Sequence, residues 1–302
     1  MDSGKPTRME QSSFTFLQDR ARFEVLPLGR SEDEARALPR PVRLTVTCSP
    51  KHGPDEAVAV AGRLRELGHA VTVHVAARMV RDRAHLDALL AAMAQAGSDD
   101  LFLIGGDANP PHGDFASAVQ MLPIVAEHPQ RPRTIGIAGY PEGHPLISDE
   151  ELDRALDAKS PYADYVTTQM CFDADALVRW IMRERQRGTT LPVVIGMPGK
   201  VARRRLLEMS VRIGVGPSLA FVRKQRGLRS LLSRRSTADR LYTELAPVTD
   251  KPALKVVGFH YFTFNQLIET WEWLERKQGG RAGNAHEPAS SGVYVQQEGS
   301  TA

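Results

Sequence analysis

The sequence predicts an α/β fold, a single-domain (β/α)8 TIM barrel, on three observations. Short apolar and β-branched runs alternate with longer segments whose apolar residues recur at helical spacing. Eight such runs occur, and their combined span matches the roughly 250 residues typical of a closed barrel. The rival, an open doubly wound sheet, expects a G-x-G-x-x-G fingerprint after its first strand. Pro27-Leu28-Gly29-Arg30 carries none.

In chain order the expected strands are Arg22–Leu26, Arg43–Thr47, Ala70–Val75, Asp100–Ile104, Thr134–Ala138, Asp164–Thr168, Pro192–Gly196 and Lys255–Phe259. Strands separated by helices pair in parallel through right-handed crossovers. Between them, Ala57, Val60, Ala61 and Leu64 mark one helical face, and Leu86, Leu89, Leu90 and Met93 another. Ser148-Asp149 starts a helix with acids in its first turn, and Asp173 does the same before Ala176–Arg187. The barrel is expected over residues 13–276. Residues 1–12 are polar and unpatterned, and 277–302 are rich in Gly, Ser, Ala and Gln, so both read as disordered. The stretch from Lys200 to Pro252 is too long for one crossover and is expected to hold more than one helix at the barrel mouth.

Composition narrows the function. Of 302 residues, 42% are hydrophobic and 25% charged, which fits a globular chain rather than a disordered one. A net charge of +3 is too small to argue for nucleic-acid binding. Two cysteines, Cys48 and Cys171, build neither a disulfide framework nor a four-thiolate zinc site. No run approaches the roughly 20 apolar residues of a membrane helix, and the first residues lack the apolar core of a secretory signal. The expectation is a protein of the reducing cytoplasm with small-molecule partners, neither membrane nor nucleic acid. Oligomeric state is left open.

In a barrel the working residues sit where strands run into βα loops. Glu24 is embedded among apolar residues of the first strand, and such surroundings raise a carboxyl pKa towards that of a general acid. The bland alternative is an ion pair with a neighbouring arginine. Gly105-Gly106 before Asp107 allow close approach of a ligand to the backbone, whereas Asp107 as a simple helix cap is the competing reading. Gln169 offers donor and acceptor to a planar heterocycle, or else a plain sheet-end hydrogen bond. His74 and His144 lack metal-ligand spacing, so a cofactor contact or an internally satisfied role is preferred and no metal is expected. Twelve Lys or Arg between Lys200 and Arg240, against Glu208 and Asp239, read first as a solvated face and second as a basic rim for an anionic substrate.

The phrases FEVLP at 23–27, GGDANPP at 105–111, AGYPEGHP at 138–145 and ADYVTTQMCFD at 163–173 resemble, in the same order, the motifs of the methylenetetrahydrofolate reductase family. The resemblance spans about residues 20 to 276 and implies an eight-stranded barrel. It implies that Glu24 is the general acid, that Asp107 lies beside folate and redox cofactor, and that Gln169 holds the pterin. Thr47, His74, Gly106, Tyr140, His144 and Lys159 then match cofactor-binding positions. Gln266 stands at a substrate position where the family carries arginine.

Other departures bear on the cofactor. The arginine before G-D in many flavin-binding members is Gly105 here. The approach to strand six is Lys159-Ser160-Pro161-Tyr162-Ala163, one residue shorter than usual. The loop after strand two is Cys48-Ser49-Pro50-Lys51-His52-Gly53, and the strand-seven region lacks the phenylalanine that stacks on folate or nicotinamide. The resemblance therefore implies reduction of 5,10-methylenetetrahydrofolate to 5-methyltetrahydrofolate, a step of one-carbon metabolism and methionine biosynthesis. NADH is expected to deliver hydride directly, without FAD. The alternatives are the same reaction through bound FAD, a related barrel oxidoreductase using a deazaflavin, and a non-catalytic folate-binding barrel.

Overall fold

A computed structural model describes residues 20–27, 30–201 and 236–283, with side chains through residue 277. Eight parallel strands close into one barrel in sequence order. They are β1 (Ala21–Val25), β2 (Arg43–Val46), β3 (Ala70–Ala76), β4 (Asp100–Ile104), β5 (Thr134–Gly139), β6 (Tyr165–Thr168), β7 (Val193–Pro198) and β8 (Val256–Phe262). Closure comes from β1 pairing with both β2 and β8, Glu24 lying opposite Thr45 on one side and Phe262 on the other. All eight expected strands form. The largest difference is at β8, which runs on through His260 to Phe262 because its backbone continues the ladder with β1 and β7.

The described residues include eight α-helices: α1 (Ser31–Ala37), α2 (Gly53–Glu66), α3 (Arg83–Gln95), α4 (Ala118–Ala126), α5 (Asp149–Lys159), α6 (Ala174–Gln186), α7 (Thr237–Leu245) and α8 (Leu267–Gly283). The apolar stripes of α2 and α3 are buried as their spacing requires. Helix α5 begins with a capping box, Ser148 and Glu151 each satisfying the other's backbone amide. Asp173 caps α6 through the amide of Ala176. Helix α8 extends past the barrel boundary expected at 276. The expectations for residues 1–12, for the tail beyond Gly283 and for most of the basic run between Lys200 and Arg240 lie outside the described residues.

Alternation along the strands separates two cores. Phe23 of β1 points outward and stacks on Tyr261, with Trp273 of α8 edge-on to the latter. Leu44, Val73, Leu103, Ile137 and Ile195 join the same apolar layer under the helices, at roughly 1.5–3 kcal/mol per buried side chain. Inside the barrel the floor is polar. Arg22 of β1 meets Asp100 of β4 at 3.4 Å and lies 4.2 Å over the ring of Tyr165. Tyr165 and Thr72 donate to the two oxygens of Asp100. Gly136 makes room for this bolt, since a Cβ there would fall 2.3 Å from the Tyr165 ring. A buried charge is tolerated only when paired and hydrogen-bonded, and this one is.

Candidate active site

Directly above the Arg22 bolt, two residues further along β1, sits Glu24. It is only 7% exposed. Its Oε2 lies 3.1 Å from Nε2 of His260 on the adjacent β8. Among the described residues no arginine pairs with Glu24, and Arg22 is engaged by Asp100. The backbone around Glu24 is held from the loop after β8: Thr263 donates to the Glu24 carbonyl, and Asn265 accepts the amide hydrogen of Leu26. To reach these bonds Phe264 and Asn265 take φ of +50° and +58°, a left-handed conformation that is uncommon for phenylalanine.

His74 of β3 completes the throat, its ring 6.3 Å from that of His260 and 4.6 Å from Phe102. Burial pushes the Glu24 carboxyl up to about 7, against an opposing pull from His74. Burial takes His74 down to about 4 and His260 down to about 3, the latter aided by the positive charge of Arg22. Two neutral imidazoles therefore flank a carboxyl that holds its proton below about pH 7. Nε2 of His74 and the hydroxyls of Thr45 and Thr47 are buried without a hydrogen-bond partner among the described residues. Such orphans mark a place for water or ligand atoms.

Glu24, His74 and His260 are also the group among the described residues with metal-ligand composition, one ligand atom of each lying within 4.8 Å of the others. The guanidinium that depresses His260 opposes a dication at the same spot. His74 and His144, weighed as metal ligands from sequence, do not come together with each other or with Asp107 among the described residues. His74 is in the throat and the other two are on the rim.

The rim set is built by β4 and β5. Asp107 is exposed, and it caps no helix, since α4 begins at Ala118 with Ser117 at its N-cap. Its loop is braced by Arg78, which donates to the carbonyls of Ala108 and Ala116. Gly106 has φ of +84° and approaches Ala76 so closely that a Cβ would sit 2.8 Å from it, so only glycine fits. Tyr140 and His144 meet edge to face at 5.5 Å. Burial and then the Asp107 charge raise Tyr140, while burial lowers His144 against the same charge. Thr47 follows β2, its amide donating to Val25.

Three expected site residues are committed elsewhere in part. Oε1 of Gln169 accepts the amide hydrogen of Met170 at 2.8 Å, so one end of its amide group is used locally. The Lys159 ammonium is buried on the carbonyl of Ala138 at 3.1 Å, and burial lowers it to about 8. Gln266 immediately precedes α8, its carbonyl accepting the amide hydrogen of Thr270. Sequence reading placed Glu142 and His260 at strand ends without giving either a role, and it missed the Arg22–Asp100–Tyr165 bolt. Period-two alternation along an unshortened β8 would have put His260 beside Glu24.

A family model for methylenetetrahydrofolate reductase matches residues 38–209, more than half of the chain. Methylenetetrahydrofolate reductase 1 of Schizosaccharomyces pombe is 25% identical over 122 residues, 37% of this chain and 20% of that protein. The NADH-type methylenetetrahydrofolate reductase 1 of Zea mays is 28% identical over 132 residues, 37% of this chain and 22% of that protein. The matched segment thus spans only about a fifth of these relatives. Among solved structures, a Clostridium thermocellum protein that binds two copies of 5-methyl-5,6,7,8-tetrahydrofolic acid superposes with a TM-score of 0.58 at 11% identity. It covers 90% of this chain and 99% of its own, a likeness of fold. With more than half its length matched by the family model, the chain belongs to the methylenetetrahydrofolate reductase family.

Proposed function

We propose that the protein reduces 5,10-methylenetetrahydrofolate to 5-methyltetrahydrofolate with hydride taken directly from NADH, Glu24 acting as general acid. One observation carries the reading: a buried carboxyl with a pKa of about 7 in the throat of a barrel of this family. Protonation of N10 by Glu24 breaks the N10–methylene bond and leaves an N5 iminium cation. Hydride adds to its carbon, giving the N5-methyl group and NAD+. Proton transfer of this kind contributes about 10²–10⁴-fold. Asp107 on the rim supplies negative charge for the cationic intermediate. The locally held oxygen of Gln169 leaves its NH2 group as the donor offered to the pterin. The rest of the acceleration is assigned to holding the two rings face to face.

The matched flavin positions fit FAD poorly. Gly105 supplies no charge where flavin-binding members place arginine, although a Cβ there meets nothing within 4 Å, so the charge is missing rather than the room. The Lys159 ammonium is turned onto Ala138 instead of outward to a phosphate. No step is therefore routed through flavin. The name of the maize relative specifies NADH, which supports that donor.

The test is an anaerobic assay of flavin-stripped protein with NADH and methylenetetrahydrofolate. Wild type should turn over, and Glu24→Gln should lose at least about 100-fold while still binding folate. Turnover restored only by FAD would transfer the reaction to the flavin-dependent form. Folate binding with no reduction under either condition would leave a non-catalytic barrel.

A further inference from the structure

We infer that His260 is a positioning residue for Glu24, its Nε2–H donating to Oε2 so that Oε1 keeps the transferable proton. The inference rests on Glu24 being the acid of the proposed reaction. Its ground is geometric. Nε2 and Oε2 are 3.1 Å apart between adjacent strands, and both side chains are buried, His260 at 2% exposure. The surroundings of both groups are packed. Phe262 stands edge-on to the imidazole at 4.9 Å, and Thr263 pins the Glu24 backbone.

The groups that face the pair set its charge, and the hydrogen is assigned on that basis. From β3 comes His74, neutral near pH 7. From below comes Arg22, paired with Asp100 of β4 and lying over Tyr165 of β6. Its positive charge and the dry surroundings keep His260 neutral. A neutral imidazole has one N–H, and a neutral carboxyl one O–H. With Nε2–H on Oε2, the carboxyl hydrogen is placed on Oε1. Once Oε1 has given its proton away, Oε2 belongs to a carboxylate, and the His260 bond becomes charge-assisted and stronger. The bond thus favours the state after proton transfer over the state before it, which is what assists an acid. The reverse arrangement, with a bare Nε2 accepting from Glu24, would hold the proton back from the substrate.

His260→Leu removes the donor, and His260→Gln restores one at similar reach. In His260→Leu, kcat should fall by about 10-fold or more with KM for the folate changed less than about 3-fold. The basic limb of the kcat/KM profile should move up by about one pH unit, because the carboxylate has lost its donor. His260→Gln should recover most of kcat and return the limb towards wild type. A limb that moves down in His260→Leu, or a kcat and limb left as in wild type, overturns the inference. Should His260→Leu fail to fold, His260→Gln decides: a folded variant as inactive as Glu24→Gln overturns it, and retained turnover supports it. Full activity in Glu24→Gln refutes the acid assignment itself, so the two failures are told apart.

Discussion

The carboxylate of Glu142 accepts the amide hydrogens of both Phe172 and Asp173, at 2.6 and 2.7 Å. The two longest motifs in the sequence, one running out of β5 and one running through β6, are thereby tied together beyond their strand ends. Burial raises the Glu142 carboxyl and these two bonds pull it back. Glu142→Ala leaves two amides unsatisfied beside Gln169 and should cost about 1–3 kcal/mol. Denaturant unfolding will measure that loss, and KM for the folate should rise as Gln169 loosens.

The pH dependence of catalysis follows from Glu24. The acid must be protonated, and its pKa in the free protein is about 7. Steady-state kcat/KM should therefore be flat below that value and fall tenfold per pH unit above it. A profile with no basic limb between pH 6 and 9 would remove Glu24 from the acid role.

Stability should respond to the same group with a definite sign. The folded-state pKa of Glu24, about 7, lies above the ordinary 4.5, so the native state holds its proton more tightly than the unfolded chain. The contribution is present in full below pH 4.5 and is lost as pH rises through 7. Glu24→Gln escapes the loss, so its stability relative to wild type should improve from pH 4 to pH 8 by about 3 kcal/mol. Urea denaturation of both proteins across that range gives the difference. The histidines act oppositely, both proteins losing stability as pH falls from 6.5 towards 4.

Arg22→Met leaves Asp100 in the barrel floor with its donors from Thr72 and Tyr165 but no counter-charge. Breaking such a pair is expected to destabilise by on the order of 3 kcal/mol. The double variant Arg22→Met, Asp100→Leu should recover part of it, which thermal unfolding will show.

The barrel was legible because each strand is a short apolar run bounded by turn residues, and because eight of them alternate with helical stripes. Glu24 was legible for a related reason, a carboxylate in the middle of such a run. His260 was not. It sits in a strand whose end was read three residues early, and its meaning comes from a partner at the opposite end of the chain. The Arg22–Asp100–Tyr165 bolt joins the first, fourth and sixth strands across the axis, a relation that local periodicity does not encode. Lys159 matched by motif, yet its ammonium turned inward to a strand carbonyl, an outcome set by local packing.

That bolt has a bearing on how the acid is reset between cycles. Arg22, Asp100 and Tyr165 occupy the floor beneath Glu24 and are bonded to one another, so in the proposed reaction the acid is reloaded from the side on which the strands end. Reprotonation of Glu24 and release of the methylated product then share one approach to the acid, and the proposed cycle has to order the two.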